Sequence, residues 1–506
     1  MASVPSVIPE IVSLDSGVSP PMSVPIGLTI SEISSTETSA VAGSTLTFEI
    51  PQRVNTSFIP KNSYISMLID LPSNLSIDGS CESLLDSIRI ETSSGQCIEE
   101  CRAFNSISHI LWQTLADSGS TNNLAITQGG GSNITDIGFS QNTSTDGKRR
   151  AIITMNELSF MSMPRSFPLY LLPSGIRIVL RFVPLAADAL FGATGTTASF
   201  TISEAKFMCE MIEHTPEYVD STLKSVATTG LHFVLPECWS SSVQPLSGTA
   251  SGGTRCLSNI RDPQSVFACI RANTDRAVDK RYISTMKQGY LTRYGWVCGG
   301  VRHPASEVRI DTANKDVTEA YMSLMRASGR TGLTSSGTLF NPLKYSYPTK
   351  TISFPVTVAT AANPAVLTIG IAQTKFLEKY IGTSSIDVTG SGFSAVLNAA
   401  LVLVSIDTGA GTITTGTDNS AAGLISATSI ITLSPTILES GTQFVMGSLL
   451  SPTAFESDSE NYVKVGPKES IDFTFQSDVT LNDHQLYTHV LHKKVLSITT
   501  DGVNCE

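Results

Sequence analysis

The stretch 197–239 constrains this 506-residue chain more than any other. Phe200 and Ile202 alternate with Ser199, Thr201 and Ser203, and the run continues through Phe207, Cys209 and Met211. A period of two is what an extended strand with one buried face requires. Thr215, Pro216 and Glu217 then read as a helix start. They supply an N-cap hydroxyl, a proline whose missing N–H costs nothing in the first turn, and a carboxylate at the positive end of the helix dipole. Val219, Leu223 and Val226 recur at i, i+4 and i+7 and predict one apolar stripe, and Gly230 is placed to end the helix in a left-handed cap. Leu231, Phe233 and Leu235 open a new alternating strand at once. Strand, capped helix and fresh strand together predict a connector between two β domains, with the helix over 215–230 as the seam.

A chain of this length exceeds one ordinary core, so two or more domains are expected. Charged residues make up only 15%, with Ser, Thr and Gly plentiful, which favours β structure with many turns. The net charge of -11 disfavours a general nucleic-acid binder, because such a chain repels polyphosphate at long range. Cysteines at 81, 97, 101, 209, 238, 256, 269, 298 and 505 are odd in number and follow no framework spacing, which predicts reduced thiols in a cytosolic setting. Residues 1–25 carry no basic residue and no long apolar run, so no secretory signal is expected there. The most apolar stretch, 395–406, is interrupted by Asn398 and is too short to cross ~30 Å of hydrocarbon, so no membrane span is expected. Glycosylation triplets at Asn55, Asn74, Asn133 and Asn142 carry no weight where Ser and Thr are this common.

Residues 1–40, rich in Ser, Pro and Thr, read as an N-terminal arm that orders only against a neighbour. The first β domain is expected over 41–214, with strands at 45–50, 62–71, 87–92, 150–155, 169–172 and 176–182 before the closing strand. The segment 106–115 is open between helix and strand, and 117–148, with Gly129, Gly130 and Gly131, reads as a long exposed loop. About eight strands suit a closed sandwich or barrel. The second β domain is expected over 231–506, with strands at 231–235, 265–271, 290–297, 351–358, 395–406, 470–476 and 490–498. One helix interrupts it, where Asp316 and Glu319 have capping-box spacing, Val317, Tyr321 and Leu324 form a stripe and Gly329 ends the run. From 351 to 450 the only charges are Lys375, Glu378, Lys379, Asp387, Asp407, Asp418 and Glu439. Inserted β-rich loops over about 360–460 are expected, packed on each other or on another subunit.

No residue pattern carries chemistry. His484, His489 and His492 are close in sequence, but on a strand 489 and 492 point to opposite faces, so a metal site is disfavoured against a structural role. Cys97 and Cys101 have the spacing of one helical turn, yet no second pair lies at zinc-ribbon spacing, and ordinary thiols are favoured. Glu99 with Glu100, and Asp483 near Glu469, read as solvated carboxylates rather than acid–base pairs. The Gly-rich run 248–255 lacks the Gly-Lys-Ser/Thr ending of a phosphate loop and reads as a flexible turn, and no Gly-x-Ser-x-Gly elbow is present. Lys148, Arg149 and Arg150 close a loop, while Arg271, Arg276, Lys280 and Arg281 interleave with Asp275 and Asp279, a pattern that predicts salt bridges, within the chain or across a subunit boundary, rather than DNA binding. Trp112, Trp239 and Trp296 read as core or interface, with Trp239 expected near the seam between domains. No catalytic, cofactor-binding or metal residue is assigned.

Three segments carry a family resemblance. The run 58–69, Phe-Ile-Pro-Lys-Asn-Ser-Tyr-Ile-Ser-Met-Leu-Ile, resembles an early strand of the double jelly-roll major capsid proteins. The run 171–181, Leu-Leu-Pro-Ser-Gly-Ile-Arg-Ile-Val-Leu-Arg, resembles their late first-barrel strand. The stretch 202–217, with Cys-Glu-Met-Ile-Glu over 209–213, resembles their closing strand and linker helix. The likeness is to the capsid proteins of small double-stranded DNA viruses of eukaryotes, the polinton-like viruses and virophages. It implies an all-β fold of two tandem jelly-roll barrels with short connector helices. It further implies a homotrimer acting as a pseudo-hexameric capsomer of an icosahedral shell, assembled inside the host cell and located in the virion. Neighbouring capsomers, penton proteins and minor capsid proteins are the implied partners, without sequence-specific nucleic-acid binding and without enzymatic activity. The competing expectation is a tandem β-sandwich adhesin or receptor-binding fibre or spike with 351–450 as its recognition face. A carbohydrate-active β-sandwich enzyme would need two carboxylates about 5 to 9 Å apart in an aromatic cleft, and a chain with 7% aromatic residues offers little for sugar stacking.

Overall fold

The order in which the strands pair defines the architecture. The computed structural model describes residues 26–114, 148–311, 316–329, 443–451, 468–499 and 502–505, apart from a few isolated positions, together with Thr127 and parts of 345–433. The first eight long strands are β1 (Gly27–Ser34), β2 (Thr45–Ile50), β3 (Thr56–Asp70), β4 (Leu85–Thr92), β5 (Cys97–Arg102), β6 (Lys148–Ile153), β7 (Ile176–Phe182) and β8 (Thr201–Glu213). They build two antiparallel sheets in the orders β1-β8-β3-β6 and β2-β7-β4-β5. The second eight are β9 (Leu231–Pro245), β10 (Ser251–Ile260), β11 (Pro263–Ala272), β12 (Leu291–Cys298), β13 (Val301–Arg309), β14 (Met446–Leu449), β15 (Glu469–Ser477) and β16 (His484–Thr499). Their sheets run β9-β16-β11-β14 and β10-β15-β12-β13, the same permutation moved on by eight. In each set the outermost strands pair first with last, second with seventh, third with sixth and fourth with fifth. A long antiparallel ribbon rolled on itself has this order, which is the jelly roll. The chain is therefore a double jelly roll, and a last strand, β17 (Gly502–Cys505), hangs on β16.

Alternation explains why these segments pair as they do. In β7, Ile176, Ile178, Leu180 and Phe182 are fully buried while Arg177 and Arg181 face outward. Phe48 on β2 meets Phe207 on β8 with ring centroids 6.2 Å apart, joining the two sheets of the first barrel. In the second barrel Trp296 packs on Phe473 at 4.7 Å. Each such side chain contributes about 1.5–3 kcal/mol by leaving water, which is what holds the rolled ribbon closed.

Among the described residues four α-helices punctuate the strands: α1 (Phe104–Thr114), α2 (Ser159–Ser162), α3 (Pro216–Thr229) and α4 (Thr318–Ala327). The segment left open by sequence is thus the helix α1. The connector α3 starts at Pro216 as expected, and Gly230 closes it at φ 75° and ψ 176°, a positive φ but not a left-handed helical turn, with its N–H donating to the Val226 carbonyl at 3.0 Å. Its buried face departs from the expected stripe at one position, Leu223. Tyr218, Val219, Thr222 and Val226 are buried while Leu223 is 44% exposed. Thr222 is tolerated inside because its hydroxyl donates to the Tyr218 carbonyl at 2.9 Å. Tyr170, Tyr218 and Val219 cluster and tie α3 to the first barrel.

Several local expectations are corrected. Residues 27–34, read as part of an arm, form β1 and pair along their length with β8; residues 1–25 lie outside the described part. Leu169–Leu171 is a turn of 3-10 helix rather than a strand. The Gly-rich run continues into β10 from Ser251, so it is largely strand. The strands β10, β13 and β14 have no counterpart in the sequence reading. Glu319 does not close a capping box, because its carboxylate accepts the Arg309 N–H at 2.9 Å. The loop expected over 117–148 falls almost wholly outside the described residues.

Both barrels lie in one compact unit, within Met1–Ile310, Thr318–Phe340 and Val445–Glu506, whereas Asp311–Val317 and Asn341–Phe444 form a second. The second unit is inserted in sequence between β13 and β14. Its strands line up as Ser385–Asp387, Ala400–Asp407, Thr412–Thr415, Val366–Thr368, Ile352–Ala359 and Ile425–Leu433. Strands expected at 351–358 and 395–406 thus occur within one or a few residues of those positions.

Candidate functional site

The feature with the densest chemistry is the seam between the two barrels, and its polarity follows from chain direction. The end where β8 runs into α3 and β9 begins is the lower end of both barrels. At the upper end, Asp78 after β3 accepts the Ser284 N–H at 2.9 Å and the Ser284 hydroxyl at 2.5 Å, from the loop after β11. Nearby, Arg276 lies 3.7 Å from Asp188, and the Gly192 N–H donates to the Val278 carbonyl at 2.7 Å. At the lower end, the β4–β5 turn meets the chain terminus: the Val503 N–H donates to Gln96 Oε1 at 3.3 Å and Cys505 Sγ to the Ile98 carbonyl at 3.1 Å. Upper end meets upper end and lower meets lower, so the barrels stand side by side and the same way up.

The middle of the seam is a buried polar cluster around Ser106 of α1. Its Oγ accepts Arg271 Nη1 at 2.8 Å and lies 3.0 Å from His489 Nε2, while His489 Nδ1 lies 2.7 Å from Ser241 Oγ. Arg271 is fully buried, donates Nη2 to the Ile283 carbonyl at 2.8 Å, and stacks over Tyr487 at 4.6 Å. Among the described residues no carboxylate lies within ion-pair distance of it. The desolvated guanidinium is held by a hydroxyl, a carbonyl and a π face instead. Burial and the Arg271 charge push the His489 imidazole down to about 3, so the ring is neutral. Ser106 and His489 have zero exposure, so this Ser–His pair is closed to any substrate and acts as a joint.

Carboxylates inside the first barrel follow the same pattern. Glu99, expected on a solvated face, is 1% exposed and accepts the Ser159 and Phe160 N–H groups at 3.0 and 2.8 Å, capping α2. Burial raises its pKa against those two hydrogen bonds. Glu82 accepts the Ser108 hydroxyl and, at 3.4 Å, the Trp112 indole N–H. Burial raises Glu82, and burial with the Glu82 charge pushes Glu157 up to about 8. Asp78 is raised by burial while Arg281 and Ser284 pull it back.

The remaining sequence candidates are dispersed. His484 sits on the exposed side against the Asn482 carbonyl, and His492 pairs with Ser240 at 2.9 Å. Among the described residues no group of three or more His, Cys, Asp or Glu is placed to hold a metal ion. Cys97 and Cys101 lie on the strand β5, not on a helical turn, one exposed and one buried. Asp483 accepts Asn273 Nδ2 at 2.8 Å at the upper end, whereas Glu469 accepts the Cys298 thiol at 2.8 Å at the lower end, so they are no pair. Arg150 bridges to Glu204 and Lys148 lies 3.9 Å from Asp70, within the first barrel. The bridges expected of Arg276 and Arg281 form between the two barrels of one chain, not between subunits, and Lys280 pairs with Asp275 at 3.8 Å; Asp279 lies outside the described residues. Trp239 packs at a tilt on Phe267 inside the second barrel, with ring centroids 5.8 Å apart, and it is Trp112 that reaches a buried carboxylate. Sequence reading missed Asp78, Glu82, Ser106 and Glu157. The one signal for Ser106 is that Asn105, Ser106 and Ser108 sit among apolar residues of α1 and are all buried.

No protein-family model matches the chain, and no curated protein sequence matches it. Solved structures do align over nearly its whole length. A chain of the Sputnik virophage is 8% identical, with 95% of this chain and 88% of that one covered and a TM-score of 0.49. The Faustovirus major capsid protein is 11% identical, with coverages of 96% and 92% and a TM-score of 0.43. The mavirus major capsid protein is 12% identical, with coverages of 98% and 93% and a TM-score of 0.38. The strand order of the two sheets in each barrel defines the double jelly roll independently of these likenesses.

Proposed function

We propose that this chain is a major capsid protein that encloses a viral genome. Three copies would form a pseudo-hexameric capsomer of an icosahedral shell. The observation that carries the reading is the seam: two barrels of identical strand order, standing the same way up and joined at the upper end, the middle and the lower end. Each chain then presents two near-equivalent upright blocks divided at the linker helix α3, and a closed ring of three presents six, the number a hexagonal lattice needs. Buried polar joints suit a building block, because they fix one relative placement of the barrels rather than a range. Neighbouring capsomers, penton proteins and minor capsid proteins are the partners of such a block, and the virion shell is its place after assembly in the host cell.

Light scattering of the purified chain, followed by negative-stain imaging, tests this. The expected result is a mass of three chains and particles of hexagonal outline. A chain that stays monomeric at every concentration and forms no such particles overturns the reading, and favours an adhesin or receptor-binding role instead.

A further inference from the structure

A cleft of about 440 Å³ opens at the lower end of the second barrel. Its described lining includes Arg261 from the β10–β11 turn, Lys468 just before β15, and Lys493 and Lys494 from β16, and contains no carboxylate. In a chain of net charge -11 this grouping runs against composition. A recess lined by four cationic side chains attracts an anion. Ser240, Ser258 and Asn259 add hydroxyl and amide donors to the same wall.

We propose that this cleft binds a phosphate-bearing anion, with Arg261, Lys468, Lys493 and Lys494 as its cationic wall. A phosphate presents several acceptor oxygens and so engages more than one cation and the hydroxyl donors together, whereas a lone carboxylate is satisfied by one bidentate arginine. The volume lies in the range that holds a small ligand or a headgroup. Burial pulls the Lys494 ammonium down, but Cys238, Cys505 and Glu99 outweigh it and hold it above the ordinary lysine range. His492, pushed down to about 3 by burial and by Lys494, stands neutral beside Ser240 and serves as a hydrogen-bonding group rather than a cation. Of the carboxylates that flank the wall in sequence, Asp262 follows Arg261, and Glu469 is engaged by the Cys298 thiol at 2.8 Å. The inference goes beyond the shell reading and does not depend on it.

Titration of the full chain with sodium tripolyphosphate by calorimetry tests it, alongside flotation with phosphatidylcholine vesicles with and without phosphatidic acid. The expected result is saturable binding of tripolyphosphate, flotation that requires phosphatidic acid, or both, weakening as salt rises. Tripolyphosphate binding without flotation assigns the phosphate to a free anion, and flotation without it assigns the phosphate to a lipid headgroup. Lys468→Glu and Ser258→Asp, both at exposed positions of the wall, are expected to weaken binding about tenfold each. Lys224→Glu, the same charge change on the exposed side of α3, is expected to leave it unchanged. Binding of neither probe overturns the proposal, as does binding that survives Lys468→Glu and Ser258→Asp or falls equally with Lys224→Glu.

Discussion

Arg271 on β11 donates through Nη1 to the Ser106 hydroxyl on α1 at 2.8 Å, and that one contact joins the second barrel to a helix of the first. The same hydroxyl lies 3.0 Å from His489 Nε2, so one small side chain serves two buried donors or acceptors. A surface salt bridge of similar length would contribute little, because water competes for both partners. Here neither partner has water to turn to.

Ser106→Ala is expected to destabilise the chain by about 2–3 kcal/mol, since it strands Arg271 Nη1 and His489 Nε2 together. Arg271→Met, which removes the buried charge and keeps much of the volume, is expected to cost less than Arg271→Ala, which leaves a cavity. The two sites are expected to couple by about 1–3 kcal/mol in a double-mutant cycle read by denaturant unfolding. Costs that simply add would show that the contact is incidental.

The buried Glu82 and the half-buried Glu157 set an alkaline limit on stability. Glu157 titrates from an ordinary value of 4.5 when unfolded to about 8 when folded, so the folded chain binds the extra proton between those values. Stability is fully present below 4.5 and is lost as pH rises towards about 8. Glu157→Gln is expected to flatten this fall and to raise the melting temperature at alkaline pH, measured by calorimetry across the window. A variant that melts in parallel with the parent at every pH would contradict the assignment.

His489 and His492 act with the opposite sign. Both are pushed from 6.5 down to about 3, so the unfolded chain binds more protons than the folded one between those values. Their contribution is present above 6.5 and is lost as pH falls towards about 3. His489→Gln keeps a hydrogen-bonding group between Ser106 and Ser241 but cannot take up a proton. It is expected to lower stability at neutral pH modestly and to soften the acid limb of the unfolding curve.

Backbone geometry gives a sharper contrast. Gly175 has φ +79°, and a Cβ there would lie 2.1 Å from the Ile50 carbonyl oxygen; Gly95 has φ +93° with nothing within 4 Å. Gly95→Ala is expected to cost about 1 kcal/mol, the ordinary charge for a left-handed alanine. Gly175→Ala must also push β7 away from β2 and is expected to cost several times as much or to abolish folding, read by soluble yield and thermal melting.

Much of the frame was legible in the residues. Ile176, Ile178, Leu180 and Phe182 announce β7 by period alone, and Pro216 with Gly230 brackets α3, because local sterics and one-sided burial act over a few residues. The stripe on α3 was read wrongly at Leu223, because a threonine that satisfies its own hydroxyl can take the inner place. The candidate site was not legible. Glu99 looked solvated beside Glu100, and only the arrival of the α2 N-terminus makes it a buried cap.

By itself the sequence determined that the chain alternates into strands and breaks at a capped helix, since periodicity, proline and glycine act locally. Only the tertiary structure decided which strands pair, that the two rolls stand the same way up, and that Ser106 and His489, 383 residues apart, share a hydrogen bond. Those choices depend on closing a ribbon over long loops. The alternation says which face of a strand is buried, but the partner that buries it is fixed only when both sheets and both barrels are in place.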